Sequence, residues 1–228
     1  MPGRPHAVTA VRIGVFGGSF DPIHQGHLVV AAAAADHLGL DRVHFVPARA
    51  HPFKAGRHGA NAEQRAAMVE LAMAADPRFV LDRRELERLG PSYTVDTLRA
   101  LRTECPADAL FLLVGADAAR ELPGWHEAEV LPRLARIVAL TRPGATPPPH
   151  PLCADTLAVP AVPVSATEIR ERVRRGAGID GLVPAAVAAY IEEHGLYRDE
   201  SQEQSAKRTA QREERERKRD PRNGKRDA

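Results

Sequence analysis

Two glycines, a serine and two histidines stand close together in the string GVFGGSFDPIHQGHLVVA, and together they could bind phosphate. They are Gly17, Gly18, Ser19, His24 and His27. An apolar strand pattern ends at the glycines, and a helix is predicted to begin near Gln25. Glycines let the backbone approach a ligand in conformations closed to larger residues. The side chains that follow reach a helix N-terminus, where free N–H groups and the helix dipole favour anions.

Other uses of this string are weaker. It is neither a Walker A loop, because GxxxxGK[ST] does not occur, nor a dinucleotide-binding fingerprint, because GxGxxG is absent. By themselves, His24 and His27 would be two partly buried histidines on the first turn of a helix. A metal site is disfavoured, because no cysteine or carboxylate follows at the spacing typical of a third ligand. We therefore predict no protein ligands for a metal.

A second segment, VSATEIRERVRRG at 164–176, begins another predicted helix. Ser165 is placed to cap this helix, and Glu168 would complete an S-x-x-E capping box. An ordinary helix start is a sufficient explanation of the pattern. The dipole of such a helix would also favour an anion bound at its N-terminus.

The string GGSFDPIHQGH resembles the first signature of the HxGH nucleotidyltransferase superfamily, in which both histidines contact a nucleotide triphosphate. The resemblance implies that the chain binds ATP. It further implies that His24, His27 and Ser19 are catalytic. Gly17 and Gly18 would then lie against the phosphates of the nucleotide.

Residues 164–176 closely resemble the second signature of the superfamily, in which hydroxyls and a helix-borne arginine hold the β- and γ-phosphates. This resemblance assigns Ser165, Thr167 and Arg170 to the triphosphate. It also implies a basic phosphate contact near Lys54, in the loop after the strand pattern RVHFVP. Without the resemblance, that lysine would be a solvated charge.

Residues 11–197 are similar to one branch of the superfamily, the nicotinate-mononucleotide adenylyltransferases. The branch-specific strings are HPFK, RRELERLGPSYTVDTL, LLVGADA, LPGWHE, TRPG and GLVPAAVAAYIEEHGLY. The similarity assigns nicotinate mononucleotide to Thr94, Asp117, Trp125 and His126, with Asp117 on the ribose. Trp125 would stack on the pyridinium ring through cation–π attraction. Backbone amides near Thr94 and His126 would meet the ring carboxylate.

The implied reaction is adenylyl transfer from ATP, which carries Mg²⁺, to nicotinate mononucleotide. Its products would be nicotinate adenine dinucleotide, or deamido-NAD, and pyrophosphate, in NAD biosynthesis. Two alternatives stay open. A sister transferase with another phosphorylated acceptor would share GGSFDPIHQGH but has no reason to keep PSYT and GWHE. A non-catalytic nucleotide sensor is the second alternative, and the intact phosphate-binding residues argue against it.

The elements that must position these residues alternate along the chain. VRIGVF and RVHFVP are strand patterns, and each precedes a helix pattern, QGHLVVAAAAADHL and residues 61–75 respectively. RFVLD, ALFLLVG, ARIVAL and LAVPAVPV are further candidates for buried strands, and TVDTLRALR is predicted to be helical. This alternation predicts an α/β fold, a Rossmann-like doubly wound parallel sheet with flanking helices. Ligands are expected at the carboxyl ends of its strands.

Composition limits the partners and the domain organisation. No apolar run approaches the roughly 20 residues that span a bilayer, so a cytoplasmic location without membrane contact is expected. Residues 199–228 hold ten Lys/Arg and eight Asp/Glu with no apolar period, which leaves 22 of each sign elsewhere. We predict one nucleotidyltransferase domain at 1–198 and a disordered, charged tail at 199–228. The balanced charge of residues 1–198 and the lack of aromatic residues in the tail disfavour nucleic acid as a partner. A homo-oligomer remains an open alternative.

Deletion of residues 199–228 is expected to leave the melting temperature and the catalytic activity nearly unchanged. A segment without apolar periodicity can contribute little buried surface to the folded state. Thermal unfolding of the full chain and of residues 1–198, followed by circular dichroism, measures the effect. A fall of many degrees in the shortened chain would show that the tail docks on the domain.

Overall fold

The computed structural model of the protein describes residues 10–49, 59–141 and 151–198. Within them, six strands form a single parallel sheet in the order β3-β2-β1-β4-β5-β6. The strands are β1 (Arg12–Gly18), β2 (Arg42–Pro47), β3 (Phe79–Leu81), β4 (Ala109–Gly115), β5 (Arg136–Thr141) and β6 (Asp155–Ala158). The predicted Rossmann-like doubly wound sheet is confirmed.

Eight α-helices flank this sheet in the described residues. They are α1 (Gln25–Leu38), α2 (Ala62–Ala72), α3 (Arg84–Glu87), α4 (Thr94–Glu104), α5 (Ala116–Glu121), α6 (Leu131–Leu134), α7 (Ala166–Arg174) and α8 (Ala185–Glu193). Three short 3₁₀ turns lie at Met73–Ala75, Leu122–Gly124 and Ala128–Val130. The predicted helices beginning near Gln25 and Asn61 and at Thr94 are thus present.

Both faces of the sheet are covered, which explains the unbroken apolar runs in its strands. On β4, Phe111 and Leu113 pack in a core cluster with residues of α1, α2, α7 and α8. Leu112 and Val114 point the other way, into a cluster with residues of α4, α5 and α6. A strand that is buried on both faces needs no polar alternation.

The strand predicted over LAVPAVPV is displaced in the structure. β6 covers Asp155–Ala158 and pairs with β5, whereas residues 159–164 form no strand. Pro160 and Pro163 explain the early end, because proline has no backbone N–H to donate to a neighbouring strand. The chain then runs in irregular conformation to the start of α7.

The strand order reverses beside β1, and this reversal creates the crevice that a ligand could enter. The chain builds β1, β2 and β3 towards one edge and then returns to place β4 on the free side of β1. After β1 the chain enters α1 on one face of the sheet, and after β4 it enters α5 on the other. Ligands of doubly wound sheets bind at such a point, at the carboxyl ends of the strands.

Some sequence predictions fall outside the described residues. These are the phosphate contact at Lys54, the TRPG string after Thr141, and the tail at 199–228 with the domain boundary that precedes it. They stay predictions. In the described part of the chain, no helix combines the length and the apolar character needed to cross a membrane.

Candidate active site

The glycine pair at the end of β1 provides space rather than an unusual backbone conformation. Neither Gly17 nor Gly18 has a positive φ, so the expected special conformation is wrong. A Cβ on Gly18 would lie 2.9 Å from the ring of Phe20, whereas a Cβ on Gly17 would meet nothing within 4 Å. Gly18 therefore makes room for Phe20, which itself has a φ of 47°. Gly17 leaves the strand end open on its solvent side.

His24 and His27 are held by each other and by the start of α1. His24 is the N-cap of α1, and its backbone N–H donates to Nδ1 of His27 over 3.2 Å. The two rings are stacked with their centroids 3.7 Å apart. Because Nδ1 of a neutral His27 accepts this bond, its proton lies on Nε2. His27 is thereby oriented as an Nε2–H donor.

Both histidines are neutral at physiological pH. Burial lowers the pKa of His24 to about 4. Burial and the neighbouring His24 lower the pKa of His27 well below its usual value. The rings of Phe16 and Phe20, 6.2 and 5.1 Å from the ring of His27, supply part of this apolar surrounding. The pair therefore offers hydrogen bonds rather than positive charge to an anion.

His24 packs against the first turn of its own helix. It is 8% exposed, and a Cβ on Gly26 would lie 3.1 Å from its Nδ1. His24 and His27 together form the capping box at the start of α1. The side chain of His24 therefore helps to order the first turn of this helix.

The second signature lies beside the first. Ser165 caps α7 by accepting the N–H of Glu168 over 3.2 Å, but the reciprocal bond of the predicted capping box is not formed within this described segment. A Cβ on Gly26 would lie 3.1 Å from the side chain of Val164, so α7 begins against the first turn of α1. Ser165 and the neighbouring Thr167 are exposed there.

Arg170 joins the two signatures directly. One guanidinium nitrogen, Nη1, donates to the main-chain oxygen of Asp21 over 2.7 Å. The other, Nη2, donates to the hydroxyl of Thr167 over 3.2 Å. The hydroxyls of α7, this guanidinium and the stacked histidines thus lie around the loop that follows β1. The arrangement provides several donors for a polyanion such as a triphosphate.

A cavity of about 440 Å³ opens at the carboxyl ends of β1 and β4, where the strand order reverses. Its lining residues include Phe16, Gly17, Gly18, Glu85, Tyr93, Thr94, Thr97, Gly115, Trp125 and His126. Phe16 connects the two regions, because it lines the cavity and its ring also contacts His27. The histidines and α7 therefore border one side of Gly17 and Gly18, and the cavity borders the other.

The N-terminus of α4 forms one wall of this cavity. Thr94 is the first residue of the helix, and the N-cap residue Tyr93 provides no side-chain hydrogen bond to the first turn. Both residues line the cavity. Because the first amides of a helix have no partner within the helix, they and the dipole can receive a carboxylate.

Another part of the cavity wall consists of Trp125 and His126. The ring of His126 lies 4.4 Å from the ring of Tyr93, and Glu127 forms an ion pair of 2.6 Å with Arg99 of α4. These contacts fasten the loop to α4. The predicted pocket residues Thr94, Trp125 and His126 are thus brought together around one cavity.

Comparison with known proteins identifies the family of this chain. The sequence model of the cytidylyltransferase-like family matches residues 15–172. A relative from Thermus thermophilus, named a probable nicotinate-nucleotide adenylyltransferase, is 53% identical over 188 residues, which cover 82% of this chain and all of the relative. A Geobacillus thermodenitrificans protein of the same name is 44% identical over 187 residues, 82% of this chain and 86% of that protein.

The chain belongs to the nicotinate-nucleotide adenylyltransferase family. A solved structure with the same fold is the nicotinic acid mononucleotide adenylyltransferase of Plasmodium falciparum complexed with NaAD. It superposes with a TM-score of 0.66 at 18% identity, and the match covers 82% of this chain and 97% of that chain. The two chains therefore share a fold.

Asp117 is placed differently from the other expected acceptor residues. It is the second residue of α5, and the N-cap of that helix is Gly115. Its side chain is 94% exposed and forms an ion pair with Arg120. It does not line the cavity, although Gly115 and Ala118 do. A ribose contact at Asp117 stays a proposal.

The structure also reveals polar residues at the cavity that motifs in the sequence did not indicate. Glu85 of α3 is buried in the cavity wall, where Thr97 donates its hydroxyl to Oε1 over 2.8 Å. Burial raises the pKa of Glu85. The signal that could have found it is an acidic residue within the string RRELERLGPSYTVDTL. Its inward direction depends on tertiary packing, which no local pattern specifies.

In the free protein, His24 and His27 are expected to stay neutral from about pH 5.5 to about pH 8, with the proton of His27 on Nε2. The lowered pKa values keep both imidazoles in the uncharged form throughout this range. Long-range ¹H–¹⁵N correlation spectra distinguish the two tautomers and the imidazolium. The same chain unfolded in guanidinium chloride is the control, because histidines in an unfolded chain have a pKa of about 6.5. An imidazolium signal from either residue at pH 6 would contradict the assignment.

Proposed function

We propose that this chain transfers the adenylyl group of ATP to nicotinate mononucleotide, giving nicotinate adenine dinucleotide and pyrophosphate. The observation that carries the proposal is that the two signatures meet next to a cavity at the end of β1. Arg170 of the second signature bonds to the loop of the first, and Phe16, which contacts His27, lines the cavity. The named relatives, at 53% and 44% identity, support the same reaction.

ATP would bind on the histidine side. His24, His27 and Ser19 would face the α- and β-phosphates, and Arg170 with Thr167 would hold the phosphates that leave as pyrophosphate. The contact of Arg170 with the main chain of Asp21 supports this placement, because it brings the guanidinium to the histidine loop. Ser165, exposed at the N-terminus of α7, would add a hydroxyl.

Nicotinate mononucleotide would bind in the cavity. The amides at the start of α4 near Thr94 would donate hydrogen bonds to its ring carboxylate, and Trp125 would stack on the pyridinium. His126, which contacts Tyr93 across the mouth, would close the pocket beside the ring. Asp117 would contact the ribose at the rim. These backbone donors would select a carboxylate over a carboxamide. The NH₂ of a carboxamide is itself a donor and would face other donors there without an acceptor.

The reaction needs no covalent intermediate and no general base. An anionic phosphate oxygen of the mononucleotide forms a bond to the α-phosphorus of ATP, and the bond from that phosphorus to the bridging oxygen of the leaving pyrophosphate breaks. The protein must align two like-charged reactants and stabilise the charge that develops on the phosphates. The Nε2–H of His27 is a preorganised donor for this charge, because its orientation is fixed before ATP arrives.

Mg²⁺ would enter with ATP as part of the substrate. Asp21, the carboxylate in the loop between β1 and α1, accepts bonds from Gly59, Ala60 and Tyr197. Among the described residues, no three side chains of His, Cys, Asp or Glu are grouped to hold a metal ion. We expect the metal to be coordinated by phosphates and water, as is common for Mg²⁺ on nucleotides. A cytoplasmic location, expected from the sequence, belongs to the same proposal.

The reaction is tested with purified protein, ATP and Mg²⁺, and each candidate acceptor in parallel. Pyrophosphate release should be fastest with nicotinate mononucleotide, slower with nicotinamide mononucleotide and absent with phosphopantetheine. Faster release with phosphopantetheine would identify a sister transferase. ATP binding without release for any acceptor would identify a nucleotide sensor.

His27→Ala is expected to lower kcat by about 10²-fold or more, because it removes a donor to charge that grows in the transition state. Steady-state kinetics with both substrates measure the loss, and circular dichroism checks the fold. His37→Ala is the matched control, since His37 is exposed in the last turn of the same helix. A near-normal kcat for His27→Ala would remove His27 from the catalytic groups.

Trp125→Ala is expected to raise KM for nicotinate mononucleotide roughly 5- to 30-fold, as the loss of an aromatic–cation contact of about 1–2 kcal/mol implies. KM for ATP should stay nearly constant, because the stacked face would touch only the pyridine ring. ATP is therefore the internal control of this measurement. Equal losses for both substrates would make Trp125 a packing residue of the loop rather than a contact of the acceptor.

A further inference from the structure

The carboxylate of Asp21 is the centre of a buried cluster that the sequence motifs did not indicate. Asp21 is 3% exposed. Its Oδ2 accepts the backbone N–H of Gly59 over 2.9 Å, and its Oδ1 accepts the N–H of Ala60 over 3.1 Å. Tyr197 donates its hydroxyl to the same Oδ1 over 2.8 Å. We call Asp21, Gly59, Ala60, Tyr197 and Arg170, which donates to the main-chain oxygen of Asp21, the Asp21 junction.

Tyr197 fits the junction in shape as well as in hydrogen bonding. It is 7% exposed and lies 176 residues from Asp21 along the chain. A Cβ on Gly59 would lie 2.6 Å from the Tyr197 ring and 3.4 Å from Cδ of Arg170. The ring therefore occupies space that only a glycine leaves open. Burial and the nearby Asp21 raise the pKa of Tyr197, so its hydroxyl remains a donor at physiological pH.

The junction holds the loop that carries the histidines at Asp21, and a buried arginine holds it at its start. Arg65 of α2 is 1% exposed and donates from Nη1 to the main-chain oxygen of Ser19 over 2.6 Å. Its Nη2 donates to the main-chain oxygen of Ala48, after β2, over 2.7 Å. The segment from Ser19 to His24 is thus attached at Ser19 and at Asp21.

The junction borders the proposed ATP side and not the acceptor cavity. Arg170 donates to the main-chain oxygen of Asp21 and to Thr167, and both α7 side chains are expected phosphate contacts. No member of the junction lines the cavity. A change at Tyr197 should therefore alter the two half-sites to different degrees.

We propose that Tyr197 is a positioning residue for ATP, acting through Asp21 on Arg170 and on the loop that bears His24 and His27. Its hydroxyl and the two amides together hold the Asp21 carboxylate in one orientation, and the main-chain oxygen of the same residue orients Arg170. This assignment rests on the proposed function only because it names ATP as the ligand that binds next to the Asp21 junction. It does not depend on the identity of the acceptor.

The test compares Tyr197→Phe with Tyr190→Phe. The second substitution is the matched control, because Tyr190 lies on α8 and contacts His194 rather than the junction. Binding of MgATP is measured by calorimetry with no acceptor present, and kcat and both KM values are measured where circular dichroism shows folded protein. Tyr197→Phe should lower kcat/KM for ATP by roughly 5- to 50-fold, because small misplacements of aligned groups lower reaction rates by factors of this order.

The affinity for MgATP should fall in the same variant, while KM for nicotinate mononucleotide should change by less than about twofold. Tyr190→Phe should match the wild type in all parameters. Unchanged ATP binding and kinetics in Tyr197→Phe would overturn the proposal and leave Tyr197 as a packing residue. Equal losses for ATP and the acceptor would overturn it as well. If the wild type binds MgATP but does not turn over the acceptor, the proposed function fails while the calorimetric comparison still tests Tyr197.

A second variant keeps the test decisive if Tyr197→Phe does not fold. Gly59→Ala retains every hydrogen-bonding group but places a methyl against the Tyr197 ring and Arg170. It should reproduce the selective loss for ATP. A Gly59→Ala protein with wild-type ATP binding would contradict the proposal.

Discussion

The reversal of strand order beside β1 is the constraint on which the rest of the site depends. It sends the chain after β1 to one face of the sheet and the chain after β4 to the other. The open crevice between them is bordered by helix starts, which supply main-chain donors. Gly17 and Gly18 lie at this crevice, where Gly18 leaves room for the ring of Phe20 and Gly17 leaves the strand end open.

Among the residues that the structure describes, the donors of this crevice are mostly uncharged, which shapes the chemistry that these residues can support. The stacked histidines are neutral, and α4 contributes main-chain amides. Neutral donors hold a polyanion less tightly than a cluster of cations would, so a product such as pyrophosphate can leave. Arg170 is a cation on this side, and it is partly committed to the main chain of Asp21.

The sequence predicted the parts of the structure that short segments determine. The apolar run ending at Gly18, the helix beginning at Gln25 and the cap at Ser165 are local patterns, and all are present. The strand predicted over residues 157–164 is displaced in the structure, because two prolines outweigh the apolar pattern. The contacts of Arg65 with Ser19 and of Tyr197 with Asp21 join residues 46 and 176 positions apart. Sequence periodicity carries no information about contacts over such distances. These partners, and the burial of Glu85 in the cavity wall, could be identified only from the three-dimensional fold.

The link between Asp21 and Tyr197 has a consequence for how the protein is made. The ribosome adds both histidines early in synthesis, whereas Tyr197, whose phenol completes the loop that supports them, is added 176 residues after Asp21. Partly synthesised chains therefore carry the histidine loop in an unfinished form. Competence to hold ATP should arise late and abruptly during translation, once the segment after α8 has emerged and packed against Gly59.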